Sequence, residues 1–472
     1  MINAYSVEQI RAAEARAPGD LMQRAAAGLA AAVLAQLTDL GSSHYGASVL
    51  IVVGSGDNGG DALFAGVRLA ARGVRVHLCR VADRVHDPGW QAVLAAGARP
   101  TAAEDAVTMI GSGQLDLVVD GILGIGGRSG LRAPAAQLAA ACAMSAVPVL
   151  AVDLPSGLAA DSCGVPDAAF RATRTVSFGG LKLCHLIEPA ASRCGRVDLV
   201  DIGLDLPGPA LGQWQPADLR AVWPVPDSTS DKYARGVVGI DTGSDSYPGA
   251  AILSTLGAVH AGAGMVRYLG ADRPARLVNQ LLPNVVLAEG RVQAWLLGSG
   301  WGDRPDADRR VAQALRTGLP VVLDADALSH LPDGTPGADR PVLLTPHAGE
   351  LARLLEIDRS QVRDDPVAAV RAAVVRTGAT VLLKGATQYV AGPDSDLVTT
   401  AVPGPAWTAQ AGSGDTLAGV CAALLAAGLT PGDAALAGAS IQALTAADHP
   451  GPLPPQELIG RLADTLQRHV LP

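Results

Sequence analysis

The chain has 472 residues and a formal net charge of −9, and 49% of its residues are hydrophobic, 3% aromatic and 17% charged. This apolar content is ample for two folded cores and excludes a disordered chain. The acidic balance lacks the basic surface that nucleic-acid binding requires, so we expect no nucleic-acid partner. The length suits two large α/β domains as well as three domains of about 150 residues.

Cysteine usage and hydropathy indicate a cytoplasmic protein. The six cysteines are scattered without a C-x-x-C pair, which argues against a zinc ribbon or a secreted disulfide scaffold. The N-terminal sequence MINAYSVEQIRAAEARAPGD has no apolar segment of the signal-peptide kind. No stretch approaches the 18 uninterrupted apolar residues of a membrane span, so we expect no membrane partner. We also expect a homo-oligomer.

The first half alternates β-branched runs with alanine-rich stretches, after a helical lead over residues 7–37. Strands are predicted at 47–53, 74–81, 115–123 and 147–155, and helices at 62–72 and 133–145. Strands separated by helices predict a parallel sheet that is covered by helices on both faces.

A glycine-rich loop, GSGDNGGD at residues 54–61, joins the first strand to its helix. Glycines let the backbone approach a phosphate, and a helix N-terminus supplies free N–H groups and partial positive charge. The pattern therefore predicts an anion site, with Asp61 as the N-cap of the helix. A nicotinamide dehydrogenase stays open, because Asp83 follows at the distance of about twenty residues where such enzymes hold a ribose hydroxyl.

Two more polar segments, residues 120–130 and 151–157, follow strands of the same predicted sheet. Because the carboxyl ends of parallel strands meet at one edge, their side chains are expected to gather there. Asn58, Asp120 and Ser156, together with Asp153, would offer oxygen ligands to a hard cation.

Residues 205–230 break the alternation with five prolines and predict a linker, which we place at 213–228 between domains 1–212 and 229–472. Alternation then resumes. Strands are predicted at 236–243, 294–300, 321–327, 341–346 and 380–385, and helices at 415–427 and 433–447.

The loop GSGD at residues 412–415 precedes an apolar helix and would expose successive backbone N–H groups to a phosphoryl group. Asp415 in this loop is a candidate base for a substrate hydroxyl. Lys384, after a strand, can meet a nucleotide phosphate as a point charge. No P-loop lysine motif occurs in the sequence.

The first half contains, in order, SVEQIRAAEA, LMQRAA, the NGGD loop, D-x-x-x-G-x-G, D-x-P-S-G and the lysine of SFGGLK. Over about residues 1–210 this set resembles the NAD(P)H-hydrate epimerase domain. Asp57 stands where that family usually has Asn, and Ile125 where Thr is common. The resemblance implies a Rossmann-like three-layer α/β/α fold.

The same resemblance implies site residues. Potassium would be bound by Asn58, Asp120 and Ser156, while Asp153 with Lys182 would move the proton during epimerisation. A surface position for Lys182 is the alternative, and a purely nucleotide-sensing module would need Asp153 and Lys182 to lie far apart. The residues implied to bind the hydrate are Asp57, Asn58, Gly59, Gly60, Asp61, Gly124, Ile125, Gly126, Gly127, Arg128, Ser129, Gly130 and Asp153.

The second half contains, in order, DKYARG, TGSDSYPGAAILS, AGAGMV, LGSGWG, LDADAL, TPHAGE, KGA and GSGDTLAG. Over about residues 229–472 this set resembles the ADP-dependent NAD(P)H-hydrate dehydratases, which have a ribokinase-like α/β/α fold. Ser299 stands where that family commonly has Pro, and Asp231 precedes Lys232 where His is usual.

This second resemblance implies Mg²⁺ as cofactor and ADP as co-substrate. Asp415 would take the proton of the ring hydroxyl, which attacks the β-phosphate of ADP; loss of phosphate then restores the double bond and leaves AMP. The residues implied to contact the hydrate are Ala250, Gly300, Gly302, His347 and Asp415. Those implied to hold the nucleotide are Lys384, Gly385, Ala386, Thr387, Gln388 and Gly414.

Both halves together predict an enzyme that repairs hydrated nicotinamide nucleotides, NADHX and NADPHX. The first half would interconvert the R and S forms, and the second would dehydrate the S form. The alternative is a ribokinase-like small-molecule kinase fused to a nucleotide-binding module, which leaves the motifs at 120–130 and 151–157 unexplained.

Overall fold

The computed structural model describes residues 1–332, 334, 337 and 340–471. The chain divides into two compact units. The first comprises Asn3–Ala210, and the second comprises Met1–Ile2 together with the chain from Leu211 onward.

The first unit, all of whose residues the structure describes, contains a seven-stranded sheet in the order β4-β3-β2-β5-β6-β7-β9, and each neighbouring pair is parallel. A shorter strand near the N-terminus, β1, pairs in parallel with β8. The strands are β1 (Ile2–Tyr5), β2 (Ser48–Val53), β3 (Arg75–Arg80), β4 (Arg99–Pro100), β5 (Leu117–Gly121), β6 (Val149–Val152), β7 (Arg174–Phe178), β8 (Leu181–Lys182) and β9 (Arg196–Val200). The helices are α1 (Val7–Glu14), α2 (Leu21–Asp39), α3 (Asp57–Ala70), α4 (Asp87–Ala95), α5 (Ala103–Gly111), α6 (Ala135–Ala143) and α7 (Ala191–Cys194).

Helices cover both faces of this sheet, as the sequence predicts. Val49 and Ile51 of β2 point into a core that includes residues of α2 and α3, whereas Leu50 and Val52 point into a second core with residues of α5 and α6. Every residue of β2 is buried, because successive side chains of a strand alternate between two covered faces.

The prediction that Asp61 caps its helix is wrong. Helix α3 begins at Asp57, and Gly56 is the N-cap with extended backbone and no side-chain bond. Asp61 therefore lies inside the second turn, where it is buried. The glycines of the loop continue as helix because Gly59 and Gly60 both donate their N–H to Gly56 O.

The second unit has a sheet in the order β12-β11-β13-β14-β15-β16-β17-β18-β10, in which only the pairs β16–β17 and β17–β18 are antiparallel among the described residues. Its strands are β10 (Leu211–Gln213), β11 (Val237–Asp241), β12 (Met265–Tyr268), β13 (Ala294–Leu297), β14 (Val321–Leu323), β15 (Val342–Leu344), β16 (Thr380–Leu383), β17 (Tyr389–Gly392) and β18 (Ser395–Thr400). Its helices are α8 (Pro216–Val222), α9 (Pro248–His260), α10 (Asp272–Leu281), α11 (Ala307–Arg316), α12 (Ala348–Leu355), α13 (Arg359–Asp364), α14 (Pro366–Thr377), α15 (Ser413–Ala426), α16 (Pro431–Asp448), α17 (Pro455–Gly460) and α18 (Leu462–His469).

The segment 213–228 is not the linker that the prolines predict. It contains helix α8, and Trp214, Leu219 and Trp223 are buried in the core of the second unit. Pro216 is the first residue of α8, a position where its missing N–H has no intrahelical partner to lose, so it starts a helix here.

Helices α9 and α15 of the second unit pack with their backbones in contact. A Cβ on Gly257 of α9 would lie 2.2 Å from Thr416 O, and a Cβ on Gly419 of α15 would lie 2.0 Å from Ser254 O. Only glycine permits this approach at both positions. Through it the first turns of the two helices are held in a fixed relation.

Across the described part of the chain, no helix combines the length and the apolar character needed to cross a bilayer.

Candidate active sites

The loop between β2 and α3 lies directly against the end of β5. A Cβ on Gly54 would meet Ile122 O at 2.0 Å, so the loop can approach only as glycine. Asn58 Nδ2 donates to Val152 O at 2.7 Å, which ties the first turn of α3 to the end of β6. Asn58, Gly59 and Gly60 are buried and Asp57 is exposed.

Asp120 and Ser156 form a buried hydrogen-bonded pair at the ends of β5 and β6. Ser156 donates to the Asp120 carboxylate through its N–H at 2.7 Å and through its hydroxyl at 2.6 Å. Burial raises the pKa of Asp120 to about 6, against the effect of these bonds. Asn58 Oδ1 lies beside the same segment, only 2.6 Å from where a Cβ on Gly124 would be. The three predicted oxygen ligands thus come to one edge of the sheet.

Asp153 and Lys182 are in direct contact, as a buried ion pair. Lys182 is 1% exposed, so its alternative placement on the surface is wrong. Its ammonium also donates to Ser177 Oγ at 3.0 Å and to Phe178 O at 3.1 Å. Asp153 has a φ of +66°, a backbone conformation that is uncommon outside glycine. The contact also contradicts the nucleotide-sensing alternative, which needs the two residues far apart.

Further carboxyl groups surround this pair. Burial raises the pKa of Asp61 to about 8, and the charges of Asp153 and Asp57 raise it further. Burial likewise raises the pKa of Glu14, whose neighbours include Lys182. Glu14 was not among the predicted site residues, because a glutamate near the end of an amphipathic helix has no local signal of function.

The second glycine loop of the first unit connects β5 to α6, and it carries the predicted positions Gly124, Ile125, Gly126, Gly127, Arg128, Ser129 and Gly130. It is partly to fully exposed. Gly130 N–H donates to Gly157 O at 2.9 Å, which joins the loop to the segment after β6. Ile125 packs against a small apolar cluster that includes Leu154 and Leu158. The guanidinium of Arg11 lies 3.2 Å from the position of a Cβ on Gly126.

In the second unit, Asp324 is a buried hub at the end of β14. Its Oδ1 accepts from Lys384 Nζ at 2.6 Å and from Thr345 Oγ1 at 2.8 Å. Its Oδ2 accepts from Ser299 Oγ at 2.7 Å. Burial lowers the pKa of Lys384, but the negative charges of Asp324 and then Glu350 outweigh the effect of burial, so the pKa of Lys384 is raised. Ser299, where the resembling family commonly has Pro, thus supplies a hydrogen bond that Pro cannot.

Asp415 lies in the first turn of α15, after the N-cap Gly412, whose φ is +91°. Burial and the charge of Asp324 raise the pKa of Asp415 to about 7, while Lys384 acts in the opposite direction. Lys384 Nζ also lies 3.2 Å from where a Cβ on Gly414 would be. A carboxyl, an ammonium and a helix N-terminus therefore meet at one point.

The loop after β13 rests on the N-terminus of α9. Gly300 has a φ of +66°, and a Cβ there would lie 2.6 Å from the Cβ of Ala250. Gly302 N–H donates to Asp326 Oδ2 at 2.8 Å. Ala250, Gly300 and Gly302, which the sequence assigned to one ligand, lie close together.

His347 caps helix α12 after β15. Its Nδ1 accepts from Gly349 N–H at 3.0 Å and Glu350 N–H at 3.2 Å, and Glu350 Oε2 accepts from His347 N–H at 2.8 Å. The His347 side chain is 55% exposed. Its Nε2 lies 3.3 Å from Glu350 Oε1, so capping of α12 explains the placement of the whole side chain.

Five of the six residues predicted to hold the nucleotide, 384–388, form the connection between β16 and β17, and the sixth, Gly414, lies in the first turn of α15. Lys384 N–H donates to Pro346 O at 2.8 Å, which brings this connection beside His347. Gly385 and Ala386 are exposed, and Thr387 and Gln388 are half-buried. Gln388 Oε1 is buried without a hydrogen-bond partner among the described residues.

Comparison with known families matches each half of the chain separately. The family described as "NAD(P)H-hydrate dehydratase" matches residues 238–467. The family described as "YjeF-related protein N-terminus" matches residues 18–184.

Relatives resemble the chain over both halves. The bifunctional NAD(P)H-hydrate repair enzyme Nnr of Mycobacterium tuberculosis is 44% identical over 449 residues, which cover 92% of this chain and 91% of that protein. The enzyme of the same name from Mycobacterium leprae is 44% identical over 470 residues, with 96% of each chain covered.

Among solved structures, the ADP/ATP-dependent NAD(P)H-hydrate dehydratase of Bacillus subtilis, co-crystallised with ATP and Mg²⁺, covers 55% of this chain and 98% of its own. Its TM-score is 0.51 and its sequence identity is 26%.

Proposed function

The chain belongs to the family of bifunctional NAD(P)H-hydrate repair enzymes, and from this premise we propose which residues perform each of its two reactions. The second unit dehydrates the S form of the hydrate with ADP. The first unit interconverts the R and S forms, so that both reach the dehydration step. NADHX and NADPHX are the substrates.

The dehydration is assigned to Asp415, and the observation that carries it is the meeting of Asp415 with Lys384 at the N-terminus of α15. Asp415 takes the proton of the ring hydroxyl, and the hydroxyl oxygen attacks the β-phosphorus of ADP. The bond from that phosphorus to the bridging oxygen breaks and AMP leaves. The C–O bond of the ring then breaks, phosphate departs with the electron pair, and the neighbouring ring carbon loses a proton to restore the double bond.

The nucleotide phosphates are assigned to Lys384, Gly414 and the connection 385–388. Lys384 offers a fixed positive charge, since Asp324 holds its ammonium in place. The N–H groups of the first turn of α15 add partial positive charge without a counter-ion. The unpaired Gln388 Oε1 is a hydrogen-bond acceptor for the amino group of the adenine.

The donor set beside Asp415 also fits Mg²⁺. This ion prefers one or two carboxylates plus phosphate oxygens and water. The oxygens of Asp324 are occupied, whereas Asp326 uses Oδ2 for Gly302 N–H, so Asp326 is the candidate protein ligand. Bound there, Mg²⁺ would supply charge neutralisation on the phosphates.

The hydrate is assigned in the second unit to Ala250, Gly300, Gly302, His347 and Asp415. The support for this assignment is that Gly300 lies directly against Ala250 at the start of α9, so these residues form one continuous surface. The imidazole of His347 is 55% exposed and can pack against the ligand, while its Nε2 lies 3.3 Å from Glu350 Oε1.

The epimerisation is assigned to Asp153 and Lys182. Asp153 takes the hydroxyl proton while the ring C–N bond at the hydroxyl-bearing carbon opens to an aldehyde and the nitrogen takes up a proton. Addition of the nitrogen to the other face of the aldehyde reverses both proton transfers and inverts the carbon, and Lys182 holds the side chain of Asp153 in place. The hydrate is held by the α3 N-terminus, residues 57–61, and by the loop 124–130, as both lie at the edge of the sheet beside this pair.

A potassium ion is assigned to Asn58, Asp120 and Ser156. A fully buried carboxylate without a basic partner among the described neighbours is costly, and a monovalent cation would compensate it. The available amide, carboxylate and hydroxyl oxygens suit a hard cation. Bound there, potassium would fix the two glycine loops. A higher melting temperature in KCl than in choline chloride, absent in Asp120→Asn, supports this site; equal melting temperatures in the two salts reject it.

The test of the two reactions uses the full chain and chemically hydrated NADH. With ADP and Mg²⁺ we expect the absorbance of reduced nicotinamide to return. Asp415→Asn should abolish the return and leave exchange between the two forms intact, and Asp153→Asn should slow only the repair of the R form. If the wild type restores no absorbance, the proposal fails. Phosphorylation of a small alcohol by ATP under the same conditions would favour the kinase.

We further propose a cytoplasmic homo-oligomer. The free and buried cysteines support a reducing compartment, and exposed apolar side chains such as Met144 and Val375 support self-association. Light scattering of the purified chain tests the oligomer, and a monomer mass rejects it.

A further inference from the structure

A buried histidine, His185, lies next to the Asp153–Lys182 pair and has no role in the reactions assigned above. It follows β8 in the 3₁₀ turn Leu183–His185 and is 6% exposed. Its ring is hydrogen-bonded on both sides, to one atom of each member of the pair.

The two ring nitrogens of His185 have different partners. Nδ1 accepts from the backbone N–H of Lys182 at 3.1 Å, and Nε2 lies 3.0 Å from the backbone carbonyl of Asp153. Because a backbone N–H can only donate, Nδ1 must be unprotonated. The proton therefore sits on Nε2, which donates it to Asp153 O. The imidazole is a neutral bridge between the backbones of Asp153 and Lys182.

The bridge holds a backbone that would otherwise relax. The φ of +66° at Asp153 lies in the left-handed region, which is unfavourable for a residue with a side chain. Asp153 N–H donates to Val176 O at 2.8 Å, and its carbonyl is held by His185. The two peptide groups that flank the strained residue are thus both anchored, and the carboxylate is directed at Lys182.

The protonation state required by the bridge agrees with the surroundings. Burial, together with the charge of Lys182, lowers the pKa of His185 to about 4. The charged groups that face the ring are Lys182 and Asp153, and the neighbouring thiols are Cys184 and Cys194.

A metal site is the alternative interpretation of the cluster formed by Cys184, His185 and Cys194. Ligand atoms of Cys184, His185 and Cys194 lie within 4.8 Å of one another. However, both nitrogens of His185 are already hydrogen-bonded, and hydrogen bonding with Cys194, followed by burial, raises the pKa of the Cys184 thiol well above its usual range. A thiolate site is therefore not favoured here.

We propose that His185 is a positioning residue for epimerisation, which fixes Asp153 and Lys182 relative to each other through one hydrogen bond to each backbone. This rests on the assignment of the reaction to Asp153 and Lys182. The bridge acts on geometry alone, so its loss lowers the rate of the chemical step more than substrate binding.

Three substitutions separate the two bonds. His185→Gln keeps a donor near the position of Nε2, His185→Asn keeps an acceptor near the position of Nδ1, and His185→Leu removes both. The matched control is Cys184→Ala, which disturbs packing beside the ring without touching either bond. All are made in the Asp415→Asn background, so that exchange of a purified epimer can be followed by chromatography without dehydration.

We expect His185→Leu to lower kcat of exchange by about tenfold to a hundredfold, the cost of misplacing a reacting group by a fraction of an ångström to 1 Å, with KM within about threefold. His185→Gln and His185→Asn should each recover part of kcat. Cys184→Ala should lower the melting temperature and leave kcat within about twofold. If His185→Leu does not fold, partial kcat losses in the two single-bond variants carry the same conclusion.

Wild-type kcat in folded His185 variants overturns the proposal, and so does an equal loss of kcat in Cys184→Ala, which would reduce His185 to a packing role. The Asp153→Asn variant is measured alongside. If it exchanges epimers like the parent, the assignment of the reaction fails as well; if it is inactive while the His185 variants are normal, only the bridge fails.

Discussion

The ammonium of Lys384 lies 2.6 Å from Oδ1 of Asp324, so two strand ends of the second unit are joined by an ion pair. Asp324 is 1% exposed and also accepts from Ser299 and Thr345. These bonds hold the Asp324 carboxylate and the Lys384 ammonium in one arrangement, and this arrangement determines the electrostatic field at Asp415.

The dehydration rate should depend on pH through Asp415. Its pKa is raised to about 7, and a base acts only when deprotonated, so the rate should fall about tenfold for each pH unit below 7. Initial rates of absorbance recovery at saturating ADP between pH 5 and 9 measure this. Circular dichroism at each pH controls for unfolding, and a flat profile down to pH 5 would exclude Asp415 as the base.

The fall of the dehydration rate at low pH, the acidic limb of the pH–rate profile, should move in Asp324→Asn. The negative charge of Asp324 raises the pKa of Asp415, so its removal should shift the limb by about one unit toward lower pH. Asp308→Asn removes one charge from a carboxylate that is 88% exposed and serves as the control. An unchanged limb in Asp324→Asn would show that the two carboxyl groups are not coupled.

Gly414→Ala should impair nucleotide use. The new Cβ would lie 3.2 Å from Lys384 Nζ and displace the ammonium, so we expect kcat/KM for ADP to fall by about tenfold. Gly432 is the matched control, because it is likewise the second residue of its helix but its nearest neighbour, Thr430 Oγ1, is 3.9 Å away. Gly432→Ala should leave the rate unchanged and stabilise the protein by about 0.4–1 kcal/mol. Equal kinetics of the two variants would refute the placement of Lys384.

Asp61→Asn should stabilise the protein, increasingly so at higher pH. A carboxyl whose pKa is about 8 when folded but ordinary when unfolded binds its proton more tightly in the folded state, so its contribution to stability is present below pH 4 and is lost as pH rises through 8. The melting temperature of the variant relative to wild type should therefore increase by roughly 8–16 °C from pH 5 to pH 9. The exposed first-turn residue Asp87 gives the control Asp87→Asn. A pH-independent difference in Asp61→Asn would mean that Asp61 is ionised throughout.

The central strands could be predicted because each is buried on both faces and is therefore a continuous apolar run, as in β2 and β5. Strand β7 was not predicted. It begins with Arg174, which reads as a surface residue, yet the guanidinium is buried against Asp198 of β9. Because Arg174 and Asp198 are 24 positions apart, this ion pair leaves no signal in the local sequence.

The positions of Asp415 and Lys384 follow from the rule that ligands gather at the carboxyl ends of strands and at helix N-termini. The role of Asp324 as hub does not follow, because its partner Lys384 is 60 residues away. His185 was missed for a related reason. A single histidine beside a lysine has no distinguishing pattern until the fold brings Asp153 to its other nitrogen.

The glycine contact between α9 and α15 has a consequence for stereochemistry. Ala250 lies two turns before Gly257 and Asp415 one turn before Gly419, so the residue that we propose as a wall for the hydrate and the residue that we propose as its base are held together by this helix contact. A base held in this way can reach a hydroxyl on one face of the ring and not on the other. We therefore expect the contact between α9 and α15 to determine which of the two hydroxyl positions, R or S, Asp415 can reach, although the glycines of that contact lie one to two turns away from Asp415 and Ala250.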